Sequence, residues 1–330
     1  MTAQSAFSSA SGSTLVEPSH ERWRRHVDSL ADMPRHAFDV VDVTTWEVIG
    51  EEPAGLDEKR WLLDPTGTAW LFKPVVVRPD RQQGEDWSEK VAGEIGRALG
   101  IPCAAIELAS LSGRAGCISR DLVPRGGWEI HSGSVLLSGI LANYQPKARG
   151  RPGHSLENVR RAIGGLGIPP GCQLPDDFEA FDVFAGYLVL DALVANQDRH
   201  DENWSVLRPP TGRDVLAGSY DHASSLGFNL VDGERERRLR EGTVHDWARR
   251  GLAAKFELQD GRSPGLVAHA AAALALCQST VRSYWLEAVA RLDEQRIHAI
   301  VSGVPDMSVL TGTFVEQAVT INRERVLHEC

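Results

Sequence analysis

The run DDFEAFDVFAGYLVLDALVAN, residues 176–196, constrains the fold more than any other stretch. It is largely apolar and too long for a strand, so it reads as a buried helix. It ends in QDRHDEN, which sets Asp198, Arg199, His200 and Asn203 within six positions. WSVL, directly after, is short, apolar and strand-like. RPPTGRD then makes a turn, and VLAGSYDHASSLG follows. A polar loop held between two buried elements belongs at the mouth of a cleft. Asp198 and Asn203 share that loop, and Asp221 lies just past the next strand.

The text ahead of this helix has another character. From about residue 38 to 124, strand-like runs alternate with turns, the first run being FDVVDVTTWEVIG. KRWLLD and TAWLFKPVVV flank PTG and read as a hairpin, with Pro65 and Gly67 in the turn. In GEDWSEKVAGEIGRALGIP, the residues Trp87, Val91, Ile95 and Leu99 recur four apart, the spacing of one helix face. Gly100 and Pro102 end that helix. AAIELASL and CISRDLVP read as two further strands around SGRAG. After PRGGW the pattern becomes helical. SLENVRRAIGGLG starts at Ser155 with a capping signature. HAAAALALCQSTVRSYWLEAVARLDEQRIHAIVSG and SVLTGTFVEQAVTINRERVLH are also helical text. The expected fold class is α+β with two lobes. Residues 1–37 form a disordered or loosely attached leader, 38–126 a β-rich N-lobe and 127–330 a mainly helical C-lobe. DGERERRLREG reads as an exposed loop or solvated helix, and QPKARGRPGH as linker-like text.

Composition narrows the function classes. A net charge of −10 argues against a general nucleic-acid scaffold, so no direct nucleic-acid contact is expected. The five cysteines are scattered without a CxxC pair. That pattern fits free thiols in a reducing compartment and speaks against a zinc site. The Ser/Ala-rich N-terminus has no basic residue ahead of an apolar core, unlike a signal peptide. No apolar run reaches the ~18–20 residues of a membrane span. A cytoplasmic location with no membrane partner is the expectation.

Phosphoryl transfer calls for the groups on the polar loop. An aspartate orients the attacking hydroxyl, and an asparagine with a second aspartate holds Mg²⁺ through oxygen. Lys73 in WLFKPV stands on a strand, suited to reach nucleotide phosphates. Glu89 stands on the following helix, suited to pair with it. Each position has a plainer use. The loop residues are common in helix caps and turns, and Lys73 is compatible with an ordinary surface strand. Glu85 shares a face with Glu89, whereas Glu94 faces elsewhere. Arg199 either holds the loop or meets a phosphate. His200 braces the loop, and Ser219 and His222 shape the turn at Asp221. GERERRLR is a solvated face or a phosphate-binding patch.

DRHDEN followed by SYDHASS resembles the catalytic and metal-binding motifs of the HipA-like serine/threonine kinases. These belong to the protein-kinase-like superfamily that includes the phosphatidylinositol kinases. The resemblance implies Asp198 as catalytic base, Asn203 as a Mg²⁺ ligand and Asp221 in the DFG-like metal role. AGLDEKRWLL resembles the family's Ala-Gly-x-x-x-Lys phosphate loop and selects Gly55 and Lys59. LFKPV resembles its ATP-lysine strand and selects Lys73, and SEKVAGEIGRALGIP selects Glu89. The likeness spans roughly 45–325 with the motifs in order. Two departures stand out. The kinase-like text begins within about 45 residues, leaving no counterpart of the toxins' separate N-terminal domain. Leu56-Asp57 also occupies the place of the loop's common glutamine.

The resemblance implies a two-lobed protein-kinase-like fold and an enzyme, an ATP- and Mg²⁺-dependent phosphotransferase. Its acceptor would be a hydroxyl, foremost a Ser or Thr of a protein, and an antitoxin-like partner is conceivable on the same ground. A small-molecule or peptide-tailoring kinase is the alternative, and a nucleotide-binding pseudokinase the third. Loops 143–154 and 232–262 are the candidate walls of the acceptor pocket.

Overall fold

The hairpin read around Pro65 and Gly67 is organised by the residue before them. The Asp64 carboxylate accepts from the backbone N–H of Thr66 at 2.8 Å and of Thr68 at 2.9 Å. It also accepts from the Trp70 indole at 3.1 Å. Gly67 takes the left-handed conformation that the turn needs, with φ 75°. The computed structural model describes residues 38–52, 59–79 and 81–330. The expected leader, 1–37, and Gly55 lie outside the described residues.

The hairpin joins β3 (Lys59–Leu63) to β4 (Ala69–Pro74), inside a sheet that begins with β1 (Val40–Asp42) and β2 (Glu47–Glu52). A short ribbon, β5 (Val77–Arg78) with β6 (Arg81–Gln82), follows β4. β7 (Ile106–Leu111) and β8 (Arg114–Arg120) complete the sheet. Its order is β1-β7-β8-β4-β3-β2, antiparallel except for β1 beside β7. Hence FDVVDVTTWEVIG is not one strand. Its two halves lie at opposite edges of the sheet, and Asp42 breaks the run by accepting from the Thr44 N–H at 3.0 Å. Five strand spacings of about 4.8 Å make about 24 Å. The chain from Asp42 to Glu47 reaches about 18 Å at most. The sheet therefore curls, and Val43, Leu62, Phe72, Ala109 and Ile118 form one buried cluster on it.

Helix α1 (Glu85–Ala98) packs on β7 and β8. Val91, Ile95 and Leu99 are buried, as their spacing requires. Ser88 and Glu89 are buried beside them.

β9 (Glu129–Ser132) leads into α2 (Gly133–Ile140) and α3 (Leu156–Ile163). Ser155 caps α3, its hydroxyl accepting from Asn158 N–H at 3.3 Å. The long apolar run forms α4 (Ala180–Val194), buried along nearly its whole length. A capping box between Glu179 and Asp182 starts it, and Ala195 in the left-handed region ends it. β10 (Ser205–Arg208) pairs with β9 and with β11 (Val215–Leu216). DGERERRLREG is helical, as α5 (Asp232–Glu241), followed by α6 (Val244–Arg249). On α5, Glu234 pairs with both Arg237 and Arg238, so its charges balance one another.

The stretch from His269 to Gly303 breaks into α7 (Leu266–Ala275), α8 (Ser279–Arg291) and α9 (Glu294–Val301). The last break comes where Asp293 caps α9 by accepting from Arg296 N–H at 2.8 Å. The final helix, α10 (Val309–Glu329), lies against α4 together with α7 and α8. Among the described residues no helix is long and apolar enough to cross a membrane. The five cysteines are unpaired thiols.

Candidate active site

Lys73 sits on β4 opposite Cys117 of β8, on the face of the sheet away from the Phe72 and Ile118 cluster and toward α1. Its side chain is 12% exposed, so its ammonium must find partners. It finds Glu89 Oε2 at 3.1 Å and Asp221 Oδ1 at 2.8 Å. Glu89 spends its other oxygen on the backbone N–H of His222, at 2.7 Å. Glu94, the competitor farther along α1, pairs with Lys90 at 2.9 Å instead. One lysine thus bridges the sheet, the helix and the turn after β11. Burial works against its charge, but the two carboxylates, Asp221 first, hold its pKa above the ordinary lysine value. Lys73 in turn holds Asp221 well below the usual carboxylate range, against the opposing effect of burial. Glu89 is also lowered: burial opposes ionisation, and Lys73 with the His222 hydrogen bond outweighs it. The charge of Lys59, on β3, also acts on Asp221.

The turn carrying Asp221 is fastened to the N-terminal lobe. Ser219 N–H donates to Pro102 O at 2.7 Å, and Ala104 N–H donates to Ser219 O at 2.8 Å. His222 Nε2 and the Ser219 hydroxyl lie 2.7 Å apart. Ser88 Oγ donates to Ser225 O at 2.9 Å. Asp221 itself has φ 60°, a left-handed conformation uncommon outside glycine, asparagine and aspartate. Ser219 and His222 therefore shape this turn, and α1 cannot swing away without breaking it.

The loop after α4 is built on one buried ion pair. Arg199 donates from Nε and Nη2 to the two oxygens of Asp191, each at 2.8 Å, with both side chains 2% exposed. Its Nη1 donates to Asn203 O at 2.8 Å. Of the two uses open to Arg199, the structure selects loop-holding, because its donors face inward. His200 Nδ1 accepts from Glu202 N–H at 3.1 Å and braces the same loop. Burial pushes the His200 pKa down, opposed by the charges of Asp198 and Asp221.

Asn203 Nδ2 donates to Asp198 O at 2.8 Å, which leaves its Oδ1 as a free acceptor. Lys73 takes one oxygen of Asp221 and leaves the other. Two hard oxygen donors fit a Mg²⁺ ion that completes its shell with phosphate and water. Among the described residues no group of three His, Cys, Asp or Glu could cage a metal by itself. Asp198 has one oxygen paired, with Lys255 Nζ at 3.0 Å. Sequence reasoning did not single out Asp191, Lys255, His154 or Trp204. Asp191 had a signal, a carboxylate eight residues before Arg199 in an apolar helix. Lys255 had none, for it arrives from a loop 57 residues beyond Asp198.

A curled antiparallel sheet carrying Lys73, a helix carrying Glu89 and a helical lobe carrying the Asp198 loop define a kinase-like α+β fold. The solved structures it resembles make this particular. The proinflammatory kinase CtkA of Helicobacter pylori matches with a TM-score of 0.68 at 18% identity, over 88% of this chain and 98% of that one. HipA of the Shewanella oneidensis MR-1 toxin–antitoxin system, solved with HipB and operator DNA, matches at a TM-score of 0.51 and 14% identity. That match covers 96% of this chain and 73% of HipA. The HipA-like resemblance of the motifs thus extends to the fold. No family's sequence model and no curated protein sequence matches the chain.

Proposed function

We propose that the chain is an ATP- and Mg²⁺-dependent phosphotransferase acting on a hydroxyl, foremost a serine or threonine of a protein. The observation that supports this most is the double ion pair of Lys73 with Glu89 and Asp221. Lys90 also bridges two carboxylates, Glu94 and Glu107, but neither stands on the loops that carry Asp198 and Asp221, whereas Lys73 reaches the Asp221 turn. A lysine set between a buried glutamate and a partly open aspartate is held ready for a third, anionic partner. Lys73 and Lys59 would then bind the nucleotide phosphates, a task to which the motif resemblance also assigns Gly55. Asn203 Oδ1 and Asp221 Oδ2 would hold Mg²⁺, which offsets the charge of the phosphates. Asp198 would orient the acceptor O–H for in-line attack. The acceptor proton passes to Asp198, the new O–P bond forms, and the bond to the β-phosphate oxygen breaks with its electron pair leaving on ADP.

The fold shared with HipA, which was solved with HipB, motivates an antitoxin-like partner, and the unpaired thiols motivate a cytoplasmic setting. The test is incubation with labelled ATP and Mg²⁺, followed by Asp198→Ala and Asp221→Ala. Both substitutions should lower turnover by at least about 10²-fold while the fold persists. Normal turnover in either variant would refute the assignment. Label in lysate proteins supports a protein kinase. Label confined to a small-molecule extract supports the tailoring alternative, and no turnover at all supports the pseudokinase.

A further inference from the structure

The proposed base is itself held by a cation that comes from outside the known motifs. Lys255 Nζ lies 3.0 Å from Asp198 Oδ1, with about a third of each side chain exposed. Surface ion pairs of that exposure commonly form by chance and contribute little to stability. This one is different, because the backbone under Lys255 is locked. The Lys255 carbonyl accepts from His154 Nδ1 at 2.7 Å. Trp204 Nε1 donates to His154 Nε2 at 3.1 Å, which fixes the neutral tautomer with its proton on Nδ1. Glu257 N–H donates to His154 O at 2.9 Å. The next residue, Phe256, is buried between the rings of His154, at 4.3 Å, and His269, at 4.2 Å. Trp204 directly follows Asn203, so one chain segment sets the metal-binding amide and, through His154, the height of Lys255.

We propose that Lys255 is a positioning residue for Asp198, and this rests on the phosphotransferase reading above. By occupying Oδ1 it fixes the carboxylate rotamer and directs Oδ2 toward the acceptor hydroxyl. Oδ2 then receives the proton as the acceptor oxygen bonds to the γ-phosphorus and ADP departs. Lys73 serves the nucleotide, and Lys255 serves the acceptor side of the same cleft.

The test uses the full chain with Lys255→Met and Lys255→Arg. ADP release in Mg²⁺-ATP reads transfer to any hydroxyl, water included. Methionine should lower kcat by about 10²-fold, the scale of a misplaced catalytic group. The KM for ATP and the affinity for ADP should stay within about twofold, since the nucleotide contacts are elsewhere. The thermal midpoint should hold, and arginine, which reaches the same oxygen, should recover most of kcat. Methionine with at least half of the normal kcat overturns the proposal and leaves the phosphotransferase reading intact. So does a loss of ADP affinity that tracks the loss of kcat. A wild-type chain that releases no ADP overturns both.

Discussion

The Asp191–Arg199 and Lys73–Glu89–Asp221 ion-pair centres are built to different ends. In the Asp191–Arg199 pair all three guanidinium nitrogens are engaged: Nε and Nη2 on the carboxylate, and Nη1 on Asn203 O. Neither partner is more than 2% exposed. In the Lys73–Glu89–Asp221 centre, Glu89 is fully buried, but Asp221 remains 31% exposed and keeps one oxygen unclaimed by Lys73. The first centre is closed and can only support. The second is open on one side and can bind. Saturation, rather than burial or charge, separates a strut from a site.

The comparison breaks if the two centres respond alike to losing their cation. Arg199→Met leaves the buried Asp191 charge with only the Asn196 side-chain amide donating to it and frees the Asn203 carbonyl. It should cost about 3–5 kcal/mol of stability, the scale for stranding a buried charge. Urea unfolding measures it, and a cost under about 1 kcal/mol, the size of a surface pair, would show that the loop does not depend on this fork. Lys73→Met should show the opposite balance. Asp221 can turn to water and the buried Glu89 keeps its bond from the His222 N–H, so the midpoint of unfolding should move less than in Arg199→Met. ATP turnover should fall by about 10²–10³-fold, as when a preorganised charge partner is removed. Equal destabilisation by both changes would make Lys73 a second strut.

How much of this was legible in the sequence follows from the range of each interaction. The α1 face was readable because Val91, Ile95 and Leu99 obey a local period, and α4 because its apolar run is long. Lys73, Glu89, Asp198, Asn203 and Asp221 were readable only as spaced motifs, and the contact of Lys73 with Asp221 spans 148 residues. FDVVDVTTWEVIG looked like one strand because alternation cannot show that Asp42 turns the chain to the opposite edge of a curled sheet. The linker-like QPKARGRPGH proved ordered, for Gly150 O and His154 O accept from Leu258 and Glu257 N–H. Its glycines and prolines signalled irregular backbone, which is a different property from looseness. Lys255 was invisible, since nothing in GLAAKFELQ marks a lysine whose partner is set by tertiary packing.

The smallest expected effect concerns the support behind Lys255 and appears on acidification. Burial pushes His154 down to about 4, opposed by its bond to the Lys255 carbonyl and by Asp201, and reinforced by Arg151 and His200. Burial likewise pushes His269 down to about 4, with the charge of His154 adding to it and that of Asp191 opposing it. Both are neutral when folded and take up a proton at an ordinary pKa of 6.5 when unfolded. Their contribution is complete above pH 6.5 and is lost as the pH falls toward 4. The carboxylates at Lys73 do not share this window: their pKa values are lowered, so their contribution fails only below the ordinary carboxylate range. Each histidine should therefore remove on the order of 1–2 kcal/mol by pH 5. At about 1–2 °C per kcal/mol for a chain of this size, the thermal midpoint should drop by a few degrees between pH 7 and 5. His269→Leu should lessen that drop, because neither ring nitrogen of His269 has a hydrogen-bond partner to lose. A midpoint flat down to pH 5, or a decline unchanged in His269→Leu, would place the acid sensitivity elsewhere.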